Sequence, residues 1–491
     1  MVLGIYFPRT FLFFTGDFMF DNLHEECGVF GIWVPQKDNI ATSCYYALQA
    51  LQHRGQESAG IAICDEGVFR QRKGDGLISE IFDKRSLEEL GLGNIAVGHV
   101  RYSTTGGKNP NNIQPLVVHH IKGNLALAHN GNLTNTYELR KTFEENGAIF
   151  HGTSDTEVIT YTIVKNRLLQ PSIEEAVEAT MYELKGAYSC IAMSPTKMIV
   201  FRDPHGFRPL CLGKTQNGGF VVASESCALD SIGATFLRDV RAGEILVIGK
   251  NGVQSIQTHC GNKPHICVFE YIYFARPDSV IEGECVHKAR LRAGEFLAKE
   301  SPVQADVVIG VPDSGIDAAI GFSRESGIPY TLGFIKNKYI GRSFISPNQS
   351  QRENAVRIKL NVLKENICGK RVVMIDDSIV RGTTSARIVS LLREAGAKEV
   401  HFRVSSPPFK NACYFGTDVD SQENLIACKY EKIEDIAKAI GADSLAYLSI
   451  DAAHKLAKTD CDFCDGCFTG NYPIPAPTQV YKNKFEEKIS K

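Results

Sequence analysis

A single tryptophan and six methionines stand among the 491 residues. No run of about 18 apolar residues occurs, so the sequence offers no transmembrane helix. Excess charge is missing too. The 54 Lys and Arg against 56 Asp and Glu leave a formal net charge of -2, which removes a global electrostatic case for nucleic acid or anionic lipid. Internal repeats and low complexity are absent; the 43 glycines fall in short clusters without a period. A signal peptide is not supported either. The apolar run Phe11–Phe14 is short, only Arg9 precedes it, and Phe18-Met19-Phe20-Asp21 lacks the small residues of a cleavage site. The expectation is a cytoplasmic protein with no nucleic-acid or membrane partner.

What is present is ordinary globular usage, 43% hydrophobic and 22% charged, long enough for two large domains. The 15 cysteines are scattered from Cys27 to Cys467 and odd in number, which reads as a reducing compartment with buried thiols and one group of metal ligands. From Cys27 to about Thr258, strand-type runs sit between glycine-rich turns, among them Gly28–Trp33, Ala59–Ile63, Asn94–Gly98, Asn124–Ala128 and Ser189–Ala192. Helical periodicity marks Asp155–Leu169 and Ile173–Leu184. This half reads as layered sheets flanked by helices. The pattern breaks at His259–Pro264. Beyond it, Asp306–Val311, Tyr330–Ile335, Arg371–Asp376 and Val400–Val404 read as strands, with helices at Ile316–Ser326 and Thr383–Ala395. That rhythm predicts an open, mostly parallel sheet with helices on both faces.

The strand Val372–Ile375 delivers two carboxylates, Asp376 and Asp377, to its carboxyl end, and Ser378, Arg381, Gly382, Thr383, Thr384 and Ser385 then open a helix. Free amides and hydroxyls at a helix start make a phosphate cradle, and adjacent carboxylates suit sugar hydroxyls or Mg²⁺. An isolated Asp-Asp pair reads as a solvated surface feature; the run of fourteen from Val372 to Ser385 does not. It resembles the signature of type I phosphoribosyltransferases, which bind 5-phosphoribosyl 1-pyrophosphate (PRPP). The resemblance implies that Ser314, after Val311-Pro312-Asp313, joins Asp376 and Asp377 as a Mg²⁺ position. It also makes the loop bearing Lys336, Lys338, Arg342 and Arg352 a basic cover over the pyrophosphate.

In the other half, Cys27 precedes Gly28-Val29-Phe30-Gly31, followed by Gly98-His99-Val100-Arg101-Tyr102-Ser103, His129-Asn130-Gly131-Asn132 and Ser154-Asp155-Thr156-Glu157. A cysteine in a strand is ordinarily a small buried hydrophobe. These segments in this order resemble the class II glutamine amidotransferases, which are N-terminal-nucleophile hydrolases. The resemblance implies an αββα sandwich and a Cys27 thiolate nucleophile served by its own α-amine. Asn130 and the Gly131 amide would form the oxyanion hole, with Arg101 on the α-carboxylate of glutamine and Asp155 on its α-amine. Cys27 must then become residue one, so 1–26 is a leader, or a shorter one if translation starts at Met19.

Cys461, Cys464 and Cys467 form overlapping C-x-x-C pairs, a sign of metal or redox chemistry whose spacing does not separate Zn²⁺ from iron. The two halves together resemble the amidophosphoribosyltransferase family, in its propeptide-bearing iron–sulfur branch. That resemblance implies a 4Fe-4S cluster on Cys267, Cys413, Cys464 and Cys467, with Cys461 spare. It also implies purine nucleotide inhibitors near Arg357 and Lys359, and a homo-oligomer, a tetramer. The expected domains are 27–260 for glutamine and 261–470 for PRPP, with a tail at 471–491. The expected activity makes 5-phosphoribosylamine at the opening of purine synthesis. Two rival readings lack support. A sugar-phosphate aminating amidotransferase would lack the Asp376-Asp377 loop, and a PRPP-sensing regulator would have no use for Cys27, Arg101, Asn130 and Asp155.

Overall fold

The computed structural model describes residues 27–102, 109–337, 360–417, 419 and 421–477. The leader 1–26 with Met19, Ser103, part of the tail, and the sequence-predicted Lys338, Arg342, Arg352, Arg357 and Lys359 lie outside the described residues.

Alternation decides the first half. Along β1 (Gly28–Asp38), Phe30 and Ile32 join one apolar cluster while Val29 and Trp33 join another, so both faces of the strand are buried. β2 (Ser58–Asp65), β3 (Val68–Asp75) and β4 (Gly93–Arg101) lie beside it. Then come β5 (Leu116–His120), β6 (Gly123–Leu133), β7 (Gly186–Met193) and β8 (Met198–Arg202). β9 (Cys211–Lys214), β10 (Phe220–Ala223), β11 (Thr235–Asp239), β12 (Ile245–Gly249) and β13 (Gly252–Ile256) complete the set. They form a seven-stranded sheet ordered β11-β9-β10-β1-β4-β2-β3 and a six-stranded sheet ordered β13-β12-β8-β7-β6-β5.

Val29, Val97, Ala126, Ala128, Ile191 and Val200 share the apolar layer between the two sheets. Outside the first sheet packs the helix Ile40–Ala50 through Cys44, Ala47 and Leu48. Outside the second pack Asp155–Leu169 and Ile173–Glu183, through Ile159, Ile163, Val177 and Met181. The result is the expected αββα sandwich.

The chain leaves it through β14 (His265–Cys267), a π-helical turn Glu270–Phe274 and a short hairpin of β15 (Val280–Ile281) and β16 (Glu284–Cys285). β17 (Val307–Gly310) opens the second core. β18 (Phe334–Lys336) and β19 (Leu360–Val362) pair with each other, antiparallel, apart from the main sheet. The expected strand Tyr330–Ile335 is therefore corrected: Tyr330 makes one isolated bridge to Val308, and the ladder begins only at Phe334. β20 (Arg371–Asp376), β21 (Glu399–Val404) and β22 (Ser444–Tyr447) join β17 in a parallel sheet ordered β17-β20-β21-β22.

Successive residues of β20 point to opposite cores, Val373 and Ile375 to one and Val372 and Met374 to the other. Helices Val286–Glu300 and Gly315–Ser326 pack on the first side, and Thr383–Glu394 with Ile433–Ile440 on the second. Last, β23 (Asp462–Cys464) returns to pair in parallel with β14, which brings Cys464 opposite Cys267.

Candidate functional site

β1 and β4 run antiparallel with Gly28 opposite Val100, so Cys27 stands beside the end of β4. Its Sγ lies 3.5 Å from the Tyr102 carbonyl, to which it donates, and its own carbonyl accepts from Arg54 Nε at 3.2 Å. Arg101, the last residue of β4, is buried. On the facing sheet Asn130 and Gly131 of β6 pair with Ser189 and Tyr188 of β7. Gly131 has φ +138°, and a Cβ there would stand 2.2 Å from the Ala187 carbonyl oxygen, so only glycine fits. Asn130 is buried and its Nδ2 has no hydrogen-bond partner among the described residues. An unmade bond of that kind costs about 1–3 kcal/mol. A substrate oxygen arriving there would remove the cost.

His99 ties the sheets together beside this point, its Nε2 meeting the His129 carbonyl at 3.1 Å. Burial pushes its imidazole down to about 3, so the ring is neutral and that nitrogen carries the donated proton. Asp155 opens its helix, where Oδ2 accepts from the Leu133 N–H at 3.0 Å and Oδ1 lies 3.5 Å from His129 Nδ1. Burial alone would raise this carboxyl; the His129 ring and the Leu133 and Thr156 amides outweigh it and hold it below the usual range.

The second site lies at the carboxyl edge of the parallel sheet. Gly310 of β17 pairs with Ile375 of β20, so Ser314 and the Asp376-Asp377 pair emerge together. Ser314 Oγ and Ser378 Oγ each donate to Asp377 at 2.5 Å, and the Asp377 N–H donates to Asp376 at 3.0 Å. Burial first, then the neighbouring Asp377, pushes Asp376 well above the usual carboxylate range. Burial raises Asp377 as well, against the hydroxyls it accepts from. Two buried acids side by side are the donor chemistry of a hard cation.

Gly382 takes φ +86°, and a Cβ on it would meet Ile426 at 2.3 Å. It turns the chain past Arg381 into the helix Thr383–Glu394, whose first turn holds Thr383, Thr384 and Ser385. A helix start is the kind of place where backbone amides bind an anion. Lys336 ends β18 and pairs with Asp313 at 2.5 Å.

Cys267, Cys413, Cys464 and Cys467 line one enclosed cavity, with Arg208 and Phe207 among its other walls. Burial, then the nearness of Cys413, Cys267 and Cys464, drives the Cys467 thiol well above its usual range. Among the described residues no set of three or more His, Cys, Asp or Glu side chains is drawn together as a preformed metal centre. The four cysteines on this cavity's walls are nevertheless the residue type of a tetrathiolate donor set. Cys461 is not among the walls; it packs against the apolar cluster that includes Ile266 and Val268. Tyr472 is a wall of the cavity, and its hydroxyl donates to the Ala412 carbonyl at 2.6 Å.

Sequence reasoning overlooked Arg54, Arg208, Glu225 and Glu270, which form a buried ionic group beside Cys27. Nothing local distinguishes a buried arginine from a solvated one, so no signal was available for them.

A thiol at the end of one sheet, an unpartnered amide on the facing sheet, and an acid pair at a phosphate-type helix start define a class: a glutamine amidotransferase joined to a phosphoribosyltransferase. Comparisons agree. The chain matches a glutamine amidotransferase domain over residues 99–231 and a phosphoribosyl transferase domain over 287–418. It is 48% identical to the amidophosphoribosyltransferase of Bacillus subtilis, across 94% of this chain and 96% of that one. The Archaeoglobus fulgidus enzyme of the same name is also 48% identical, across 92% and 98%.

A solved Bacillus subtilis glutamine PRPP amidotransferase complexed with ADP and GMP superposes with a TM-score of 0.84, at 48% identity, covering 93% of this chain and 98% of its own. A structure described as the allosteric regulatory enzyme of purine biosynthesis gives 0.87 at 47%, covering 94% and 99%. The chain belongs to the amidophosphoribosyltransferase family. It is an enzyme, and its reaction, the first committed step of purine biosynthesis, forms 5-phosphoribosylamine, glutamate and pyrophosphate from PRPP, glutamine and water.

Proposed function

We propose that this reaction is divided between two sites. Cys27 attacks the glutamine amide carbon as thiolate, with its own α-amine as base once the leader 1–26 is gone. The developing oxyanion is met by Asn130 Nδ2 and the Gly131 N–H. Arg101 pairs with the substrate carboxylate and Asp155 with its ammonium. Ammonia leaves, and water returns the thioester to glutamate and free Cys27. The ammonia nitrogen then attacks C1 of PRPP and pyrophosphate departs, forming 5-phosphoribosylamine.

Ser378, Arg381, Gly382, Thr383, Thr384 and Ser385 hold the phosphate ester, and Asp376 and Asp377 the ribose hydroxyls. Lys336, Lys338, Arg342 and Arg352 neutralise the leaving group. Mg²⁺, bound by Ser314, Asp376 and Asp377, would supply charge stabilisation for pyrophosphate. The buried acid pair supports that assignment. A structural 4Fe-4S cluster on Cys267, Cys413, Cys464 and Cys467 follows from the resemblance to the iron–sulfur branch, and their place on one cavity's walls supports a shared ligand. Purine nucleotides would act at Arg357 and Lys359; a nucleotide-bound relative supports the ligand class.

The division 27–260, 261–470 and tail 471–491, the homotetramer and the cytoplasmic location belong to the same reading. Among the described residues no helix is long and apolar enough to cross a membrane.

The observation that carries this proposal is the unpartnered, buried Asn130 Nδ2 on the sheet facing the one that holds Cys27. The test is pyrophosphate release with glutamine or with ammonium as nitrogen source. Cys27→Ala is expected to lose the first and keep the second, and active protein to begin at Cys27. A Cys27→Ala enzyme still using glutamine would refute it.

A further inference from the structure

Arg54, Arg208, Glu225 and Glu270 are all at most 1% exposed. Glu270, the first residue of the π-helical turn, joins the others. Its Oε1 and Oε2 accept from Arg54 Nη2 and Nη1 at 2.8 and 2.9 Å, and Oε1 also from Arg208 Nη1 at 3.4 Å. The two arginines lead to opposite walls of the glutamine site. Arg54 also donates to the Cys27 carbonyl at 3.2 Å and to Glu225 at 2.6 Å. Arg208 donates to the Phe415 carbonyl at 2.8 and 3.1 Å and to Thr417 Oγ1 at 3.2 Å.

The segment Tyr414–Thr417 in turn lies on the oxyanion strand. Asn132 Nδ2 donates to the Tyr414 carbonyl at 2.9 Å, and a Cβ on Gly416 would stand 3.3 Å from Gly131 Cα. A continuous chain of bonds therefore runs from the Cys27 main chain, through Glu270, to the backbone packed against Gly131.

We propose that Glu270 is a positioning residue for the glutamine half-reaction, its carboxylate fixing the Cys27 backbone relative to the Gly131 strand by holding Arg54 and Arg208 at a set separation. This rests on the assignment of Cys27 and Gly131 made above. The physical reason is charge. Glu225 already serves Arg54 and His53, the latter at 2.7 Å, so Glu270 is the carboxylate that lies between the two guanidinium groups. A glutamine there offers one acceptor oxygen and turns an N–H₂ toward another donor. The arginines then separate, and each carries its own wall with it.

The experiment uses full-length, processed Glu270→Gln. Glutamine hydrolysis, ammonia-dependent synthesis and the rate at which a diazoketone analogue of glutamine alkylates Cys27 are measured side by side. The expected result is a kcat for glutamine lower by roughly 10²-fold and alkylation slowed in parallel, as ~1 Å misplacement produces. The glutamine KM should change by less than about threefold and the ammonia route by less than about twofold, because neither substrate binding nor PRPP is touched. Unchanged glutamine turnover, or equal loss of both routes, would overturn the proposal.

Should Glu270→Gln fail to fold, Glu270→Asp applies the same criteria, since it keeps the charge but draws the carboxylate back from both guanidinium groups. Cys27→Ala runs alongside. If it retains glutamine use, the underlying assignment fails; if it behaves as expected and Glu270→Gln is normal, the positioning role alone is wrong.

Discussion

Gly131→Ala probes the oxyanion strand most directly. The added Cβ would sit 2.2 Å from the Ala187 carbonyl oxygen and 2.7 Å from its carbon, both main-chain atoms of the paired strand, so no side chain is able to swing away. Reaching a C···O contact of about 3.3 Å requires β6 to move off β7 by ~1 Å. The φ of +138° adds a conformational penalty of about 1–3 kcal/mol for any residue with a Cβ. Displacing one oxyanion donor costs about 10²–10³ in turnover, or roughly 3–4 kcal/mol of transition-state stabilisation. The displacement and the lost donor are one event, so the figures are not added. Glutamine-dependent kcat is expected to fall by about 10²–10³ with little change in KM, since the donor is used chiefly in the transition state. Ammonia-dependent synthesis serves as the folding control and should persist. Wild-type glutamine turnover in this variant would refute the oxyanion assignment, and loss of both routes would show damage to the whole sandwich.

His99→Gln should flatten the acid limb of stability. The folded-state imidazole titrates near 3 against 6.5 unfolded, so the unfolded chain binds the extra proton between those values. Stability is then lost as pH falls below 6.5, at up to ~1.4 kcal/mol per pH unit. Urea midpoints from pH 7 to 4 for both proteins would test this, and parallel curves would count against it. Asp377→Asn is expected to lower both the glutamine and ammonia routes by ~10²-fold or more, while glutamine hydrolysis alone persists; a normal ammonia route would remove Asp377 from the PRPP site. Anaerobically purified protein should be brown with about four irons per chain. Cys464→Ser should abolish that colour and Cys461→Ser should not; the reverse result would exchange their roles.

Legibility followed the range of the interactions involved. The helix Asp155–Leu169 matches its expected bounds because its periodicity is contained within fifteen residues. Arg371–Asp376 likewise matches, since a strand buried on both faces reads as a continuous apolar run. Tyr330–Ile335, interrupted by Thr331 and Gly333, also reads as a strand, but only Phe334 and Ile335 of it enter a ladder. Apolar character specifies burial, and pairing is decided by what lies alongside.

By itself, then, the sequence determined layered sheets flanked by helices in the first half, a parallel sheet in the second, the acid pair at a strand end and the phosphate-type helix start, because each is written in contiguous residues; the αββα order was implied only by resemblance. Only the tertiary structure decided the rest. Cys267 and Cys464 share a cavity because β23 returns to β14 from almost two hundred residues away. Asn130 Nδ2 is buried with no hydrogen-bond partner among the described residues because two sheets meet there. Glu270 stands between Arg54 and Arg208 because three segments far apart in the chain exclude water at one point. Such charges carry no local pattern; burial and mutual distance define them, and both exist only after the chain has folded.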